Sequence, residues 1–197
     1  MMTSYVIQQL GSMLNPKINQ KLLEQRLKEF CCSRDTQLED FIHNKAIAYE
    51  AKGFSRIFII LDTATSKENE MPKIAAFFAL AITATNYDNI SRSRKEKVLG
   101  SKPGRNTFKA FPGILIAQLA RDDRYESEYI DGESLLRECE HYIELGRQYL
   151  GGRNIYLDCK KMLIKTYTKN GYRLLSDSST PDGYYKMYKV LPENEIT

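Results

Sequence analysis

The chain has 197 residues, 42% of them hydrophobic, which suits one globular domain over residues 1–197 and would leave two full domains cramped. A net charge of +4, with 27% charged residues, permits a polyanionic partner without arguing for one. Cys31, Cys32, Cys139 and Cys159 have the spacing of neither a zinc knuckle nor a disulfide framework and read as reduced thiols. The first residues, MMTSYVIQQLG, alternate polar and apolar and carry no secretory signal. The longest apolar run, Ile74 to Thr83, is well short of the roughly 20 residues that cross a bilayer. The expectation is a soluble, cytoplasmic protein.

In chain order, Asn15-Pro16 reads as a helix cap followed by proline at the first helical position, with Leu23, Leu27 and Phe30 on one face. TQLE at Thr36 to Glu39 reads as a capping box that opens a second helix, closed by Gly53. RIFIIL (56–61) and KIAAFFALAIT (73–83) are β-branched and aromatic runs, expected to pair as a buried hairpin. Ser91 to Asn106 is strongly basic and broken by glycine and proline, so an exposed excursion is expected over about 88–110.

FPGILIAQLA (111–120) resumes the sheet, and Leu135, Cys139, Tyr142, Ile143 and Leu150 mark a helix that ends at Gly151-Gly152. A short strand (155–159), a helix through Tyr167 that stops at Asn170-Gly171, and two closing strands follow. The pattern is an α/β chain with helices packed on a sheet.

Between the strand at 111–120 and the next helix lies RDDRYESEYIDGES (121–134). A strand, a turn with glycine and a helix N-terminus make a natural phosphate cradle. Here Asp122, Asp123, Glu126, Glu128 and Asp131 oppose only Arg121 and Arg124. Like charge beside a bound phosphate costs about 1 kcal/mol per exposed contact. Acidic side chains also suit any ordinary helix N-terminus, which accounts for Asp131 and Glu133 without a ligand.

Three segments resemble the GNAT superfamily of N-acetyltransferases, in the bacterial branch that includes toxins of type II toxin–antitoxin pairs. CCSRDTQLEDFIHNKAIAYEAKGFSRIFIILD (31–62) is similar to their opening, FPGILIAQLARDDRY (111–125) to their fourth strand, and NIYLDCKKMLIKTYTKNGYRLL (154–175) to their second half. The resemblance implies a mixed, mostly antiparallel sheet flanked by helices, and acetyl-CoA as cosubstrate. It places the pantetheine arm on backbone at Leu119, Ala120 and Arg121, and the pyrophosphate on a loop of the form Q/R-x-x-G-x-G/A. Arg124, Ser127, Glu128, Tyr129, Ile130, Asp131 and Gly132 are the corresponding cofactor-binding candidates. Small residues serve that loop by letting backbone approach the phosphates. This sequence departs from it: one register puts Ile130 at the first glycine and Gly132 at the second, a tighter one puts Tyr129 and Asp131 there.

The resemblance also makes Tyr167, in KTYTKNGY, the catalytic candidate, a general acid whose phenol is protonated at neutral pH and suits a departing thiolate. Read without it, Tyr167 is an aromatic packed on the sheet. His43 and His141 have no companions that make a triad or metal site, and Cys159 reads as a buried strand thiol. No metal is expected. The function implied is acetyl transfer to a primary amine, including the amine of aminoacyl-tRNA, with the basic residues Ser91 to Arg105 on its phosphates. An antitoxin and a homodimer are the protein partners implied. The rival reading is a non-catalytic binding protein on the same fold with a degenerate pyrophosphate loop. A nucleic-acid adaptor is weaker, since no recognised DNA- or RNA-binding motif is present.

Overall fold

The structure, a computed structural model, describes residues 5–64, 70–87, 90–100, 107 and 109–192. Among these, seven strands are ordered β1-β2-β3-β4-β5-β7-β6. They are β1 (Tyr5–Gln9), β2 (Arg56–Asp62), β3 (Lys73–Asn86), β4 (Ala110–Arg121), β5 (Asn154–Cys159), β6 (Arg173–Leu174) and β7 (Tyr185–Val190). The helices are α1 (Leu10–Met13), α2 (Gln20–Lys28), α3 (Thr36–Asp40), α4 (Ala46–Ala51), α5 (Arg92–Leu99), α6 (Gly132–Leu150) and α7 (Ile164–Lys169). A π turn, Phe41–Lys45, joins α3 to α4, and a 3₁₀ turn, Lys161–Leu163, precedes α7. Backbone contacts divide the chain into two compact units, Met1–Ala81 with Ala117–Tyr142, and Ile82–Ile116 with Ile143–Thr197.

In the first unit, β2 and β3 form the expected antiparallel hairpin, from Arg56 opposite Leu80 to Asp62 opposite Lys73, with a bulge at Ile60/Leu61. Ile57, Ile59 and Ile60 are fully buried because both sheet faces are covered. β1, not anticipated from the sequence, adds an antiparallel edge whose residues alternate between half-buried and exposed. The core joins Leu23, Leu27 and Phe30 to Phe41, Ile42, Ile59 and Phe77, and the Phe30 and Phe77 rings meet edge to face at 5.2 Å.

Both helix starts differ from the expectation by local competition. The Asn15 side chain accepts from Lys17 N at 3.0 Å and closes a turn, while Asn19 caps α2 through Leu22 N at 3.2 Å. Asp35 caps α3 at Gln37 N, one residue ahead of Thr36. Glu39 is thereby moved past the capping-box position, and its carboxylate accepts from Cys32 N at 2.7 Å.

In the second unit, β4 and β5 are parallel over Ile114–Ile116 and Ile155–Leu157, and β5 and β6 both pair antiparallel with β7. The expected basic excursion contains a helix. Ser91 caps α5, and Val98 and Leu99 bury against Tyr87, Tyr156 and Leu175, so two apolar residues fold a segment whose charges masked it. Residues 101–106, including Lys102 and Arg105, lie outside the described residues. Gly113 permits the close approach of β4 to β5: a Cβ there would sit 2.3 Å from the Tyr156 ring and 2.7 Å from the Asn154 carbonyl.

Candidate active site

β4 continues from the ladder's last residue, Ile116, to Arg121, and among the described residues no ladder pair to β5 extends past Ile116. Strand backbone without a strand partner on one side can hydrogen-bond an extended ligand, as a sheet edge does. The candidates Leu119, Ala120 and Arg121 lie in this stretch. Ala120 is buried in the core with Phe30, Phe41 and Phe77, and Leu119 is half-buried.

The acids after β4 separate into two groups. Asp122, fully buried, accepts from Cys31 N at 3.1 Å, from Arg124 N at 2.9 Å, and from the Arg124 guanidinium at 2.8 and 2.6 Å. Asp123 accepts from Ser33 N and Oγ, both at 2.6 Å, and from Arg34 Nη2 at 2.8 Å. The Ser33 hydroxyl, its backbone N–H and Arg34 hold the Asp123 carboxyl below the usual carboxylate range. These two side chains fasten the end of β4 to the segment before α3. Arg124 is engaged on Asp122, which leaves Arg121 as the basic candidate facing the loop.

Arg121 Nη1 donates to Ile130 O at 2.9 Å, while its Nε is buried and meets no acceptor among the described residues. Beside it lies an open cavity of about 460 Å³ lined by Arg34, Arg121, Asp123, Glu126, Ser127 and Glu128 among others. Arg121 and Arg34 are the basic groups of this cavity, and Asp123, Glu126 and Glu128 are its acids. Ser127 Oγ donates to Glu128 Oε2 at 3.3 Å, and both residues are exposed.

The rest of the loop is tied down. The Tyr125 and Tyr129 hydroxyls donate to the buried Asp62 carboxylate at 3.1 and 2.8 Å, and their rings lie 4.8 Å apart. Burial, followed by the Asp62 charge and hydrogen bonds, pushes both phenols well above their ordinary range. Ile130 is 2% exposed, an interior position where an open backbone approach would need glycine. Asp131 caps α6: its Oδ1 accepts from Ser134 N at 2.6 Å, and its carbonyl accepts from Leu135 N at 3.0 Å. The Ser134 N–H lowers the Asp131 pKa. At Gly132 a Cβ would meet nothing within 4 Å, so the first residue of α6 is open to a neighbour.

For a nucleotide thioester such as acetyl-CoA, the residues present fit at β4, at Arg121 and at the open start of α6. Asp123, Glu126, Glu128 and Asp131 stand against its phosphates. The remaining candidate, Tyr167, is half-buried on α7 in the second unit, with its ring edge to face on Tyr172 at 5.7 Å. His43 Nε2 pairs with Phe30 O at 2.7 Å, and burial raises the Cys159 thiol to about 11. Sequence reading missed Asp62 and Arg34, whose partners lie far along the chain.

A scan against protein-family models and a search among curated proteins each find no match. Solved structures do match. The chain is similar to a bacterial toxin at a TM-score of 0.72 and 15% identity, covering 96% of this chain and 92% of that one. It is similar to a Tyr-to-Phe variant of the AtaT toxin bound to the C-terminus of the antitoxin AtaR and acetyl-CoA, at a TM-score of 0.64 and 11% identity, covering 94% and 92%. It is also similar to AtaT complexed with acetyl-methionyl-tRNAfMet, at a TM-score of 0.65 and 14% identity, covering 96% and 95%. At these identities the likeness shows the fold alone: the chain shares the fold of these toxins, the mixed, GNAT-like α/β architecture that its sequence resemblance implied. No helix among the described residues is long and apolar enough to cross a membrane.

Proposed function

We propose that the protein transfers an acetyl group from acetyl-CoA to a primary amine, with aminoacyl-tRNA as the acceptor. The observation that carries the reading is the stretch of β4 past Ile116, which continues to Arg121 beyond its ladder with β5. Its support is the fold shared over nearly the whole chain with AtaT, a toxin seen with acetyl-CoA and with acetyl-methionyl-tRNAfMet. Acetyl-CoA, when bound, supplies an activated acetyl thioester.

Backbone N–H groups of Leu119 to Arg121 donate to the carbonyl oxygen that gains charge, and Arg121 with the open α6 start receives the phosphates. Tyr167 holds the proton that a departing thiolate needs. No general base is assigned, because an α-amino ester supplies enough free amine near neutral pH. The exposed Arg92 and Lys97 of α5 meet the phosphates of the acceptor. An antitoxin is a proposed partner, as AtaT is seen bound to the C-terminus of the antitoxin AtaR. A second copy of the chain is a further partner under this reading.

The test is mass spectrometry of aminoacyl-tRNA incubated with the protein and acetyl-CoA. An acetylated α-amine that forms with wild type, and at least about a hundredfold more slowly with Tyr167→Phe, supports the reading. Equal rates remove Tyr167 from the chemistry. The Arg92→Ala/Lys97→Ala variant should weaken the RNA acceptor and spare acetyl-CoA binding, and loss of both would refute the role given to α5.

Ile130, Tyr129 and Asp131 favour a second reading. With Ile130 buried, Tyr129 on Asp62, and the Asp131 carboxylate on the Ser134 N–H, the loop is complete without a pyrophosphate. A binding protein on a GNAT-like fold would have that loop and would not take up acetyl-CoA.

A further inference from the structure

The run from α3 through the π turn to α4 has one widened turn, in which Ala46 N bonds back to Phe41 O. In an α-helix, residues five apart point roughly 140° away from one another. A turn wider by one residue brings them into line, and Asp40 and Lys45 accordingly form an ion pair on one face. Asn44 Nδ2 donates to the other Asp40 oxygen at 2.7 Å and fixes the carboxylate.

This pair edges a pocket of about 480 Å³ lined also by Gln37, Phe41, Tyr49 and Gln118. Tyr49 is 41% exposed, yet its ring is held edge to face by Phe41 at 5.3 Å and Phe54 at 5.5 Å, which makes it a fixed wall. Gln118 belongs to β4, two residues past the end of its ladder and next to Leu119.

We propose that this pocket binds the α-aminoacyl end of the acceptor, with the amine on Asp40, the neighbouring carbonyl on Lys45, and the amino-acid side chain against Phe41 and Tyr49. The proposal rests on the transfer reading above and names where that reading's acceptor is read. The complementarity is specific in kind. A simple polyamine would satisfy Asp40 and strand Lys45, and a phosphate would do the reverse; an amine adjacent to a carbonyl satisfies both. Side chains of the pair are 45% and 51% exposed, so water already competes for them and an incoming ligand opens the pair readily. Lys45 and Asn44 hold Asp40 ionised, the form that pairs with an ammonium group.

The test uses puromycin, an amide-linked aminoacyl-nucleoside with a free α-amine, titrated into the full-length chain without acetyl-CoA. Wild type should bind it, while N-acetylpuromycin, or puromycin with either Asp40→Asn or Lys45→Gln, should bind about tenfold or more weakly, as loss of a charge-assisted hydrogen bond requires. No binding by wild type, or equal binding by wild type and both variants, overturns the proposal. Circular dichroism identifies a variant that fails to fold, and the other variant then decides. Because the titration needs no acetyl-CoA, a failed transfer assay would count against the transfer reading and leave this result to stand or fall separately.

Discussion

Replacing Asp131 by alanine should move stability and cofactor affinity in opposite directions. Its carboxylate caps α6 at Ser134 N, 2.6 Å away, and loss of such a cap costs about 1 kcal/mol. For a chain of this length that lowers the midpoint of thermal unfolding by about 2–4 °C. The same side chain is exposed and places a negative charge at the start of α6, against the phosphates of acetyl-CoA. Removing one such contact is worth about 1 kcal/mol in water, or roughly a fivefold tighter Kd. The freed Ser134 N–H adds to the gain. Asp131→Asn separates the two effects, because asparagine still caps but carries no charge: stability should stay near wild type and affinity should still rise. Thermal unfolding and calorimetric titration with acetyl-CoA, at low and high salt, read both quantities. Weaker binding in Asp131→Ala, or a difference that grows with added salt, would refute the idea that this loop faces the phosphates.

Gly113→Ala should destabilise by about 1–3 kcal/mol, since the added methyl overlaps both the buried Tyr156 ring and the Asn154 carbonyl; unchanged urea unfolding would contradict that close approach. Asp123 has a folded pKa below its unfolded value near about 4, so its contribution is present above that pH and lost as pH falls through the folded value. Asp123→Asn should flatten the acid limb of stability against pH and leave its curve converging on wild type in acid. An unaltered acid limb would remove Asp123 from the fastening of β4. Phenylalanine at Tyr125 or Tyr129 should cost about 1–2 kcal/mol each by taking a donor from buried Asp62, read by the same unfolding curves.

Where a segment's own pattern decides its structure, the sequence was readable. The β-branched runs of β2 and β3 and the helical spacing of Leu135, Cys139 and Ile143 in α6 fold as expected. α5 was hidden because its buried residues, Val98 and Leu99, are outnumbered by charges, one of which, Arg94, finds its partner Asp177 some eighty residues on. The acidic loop could not be solved locally. Asp122 and Asp123 meet partners some ninety residues earlier, and Tyr125 and Tyr129 meet Asp62 across 63 and 67 residues. Charge counting along 121–134 therefore overstated the acid that faces a ligand, since the buried Asp122 carboxylate is spent on Cys31 N and Arg124, and Asp123, at the cavity wall, is already paired with Ser33 and Arg34.

Isothermal titration of the purified protein with acetyl-CoA, with Tyr167→Phe alongside, tests the central claim most directly. The account predicts micromolar binding by both proteins, because Tyr167 is given the proton and not the grip, and slowed transfer by the variant alone. Absence of heat at millimolar acetyl-CoA would contradict it and would leave the tyrosine-tied loop as the mark of a binding protein.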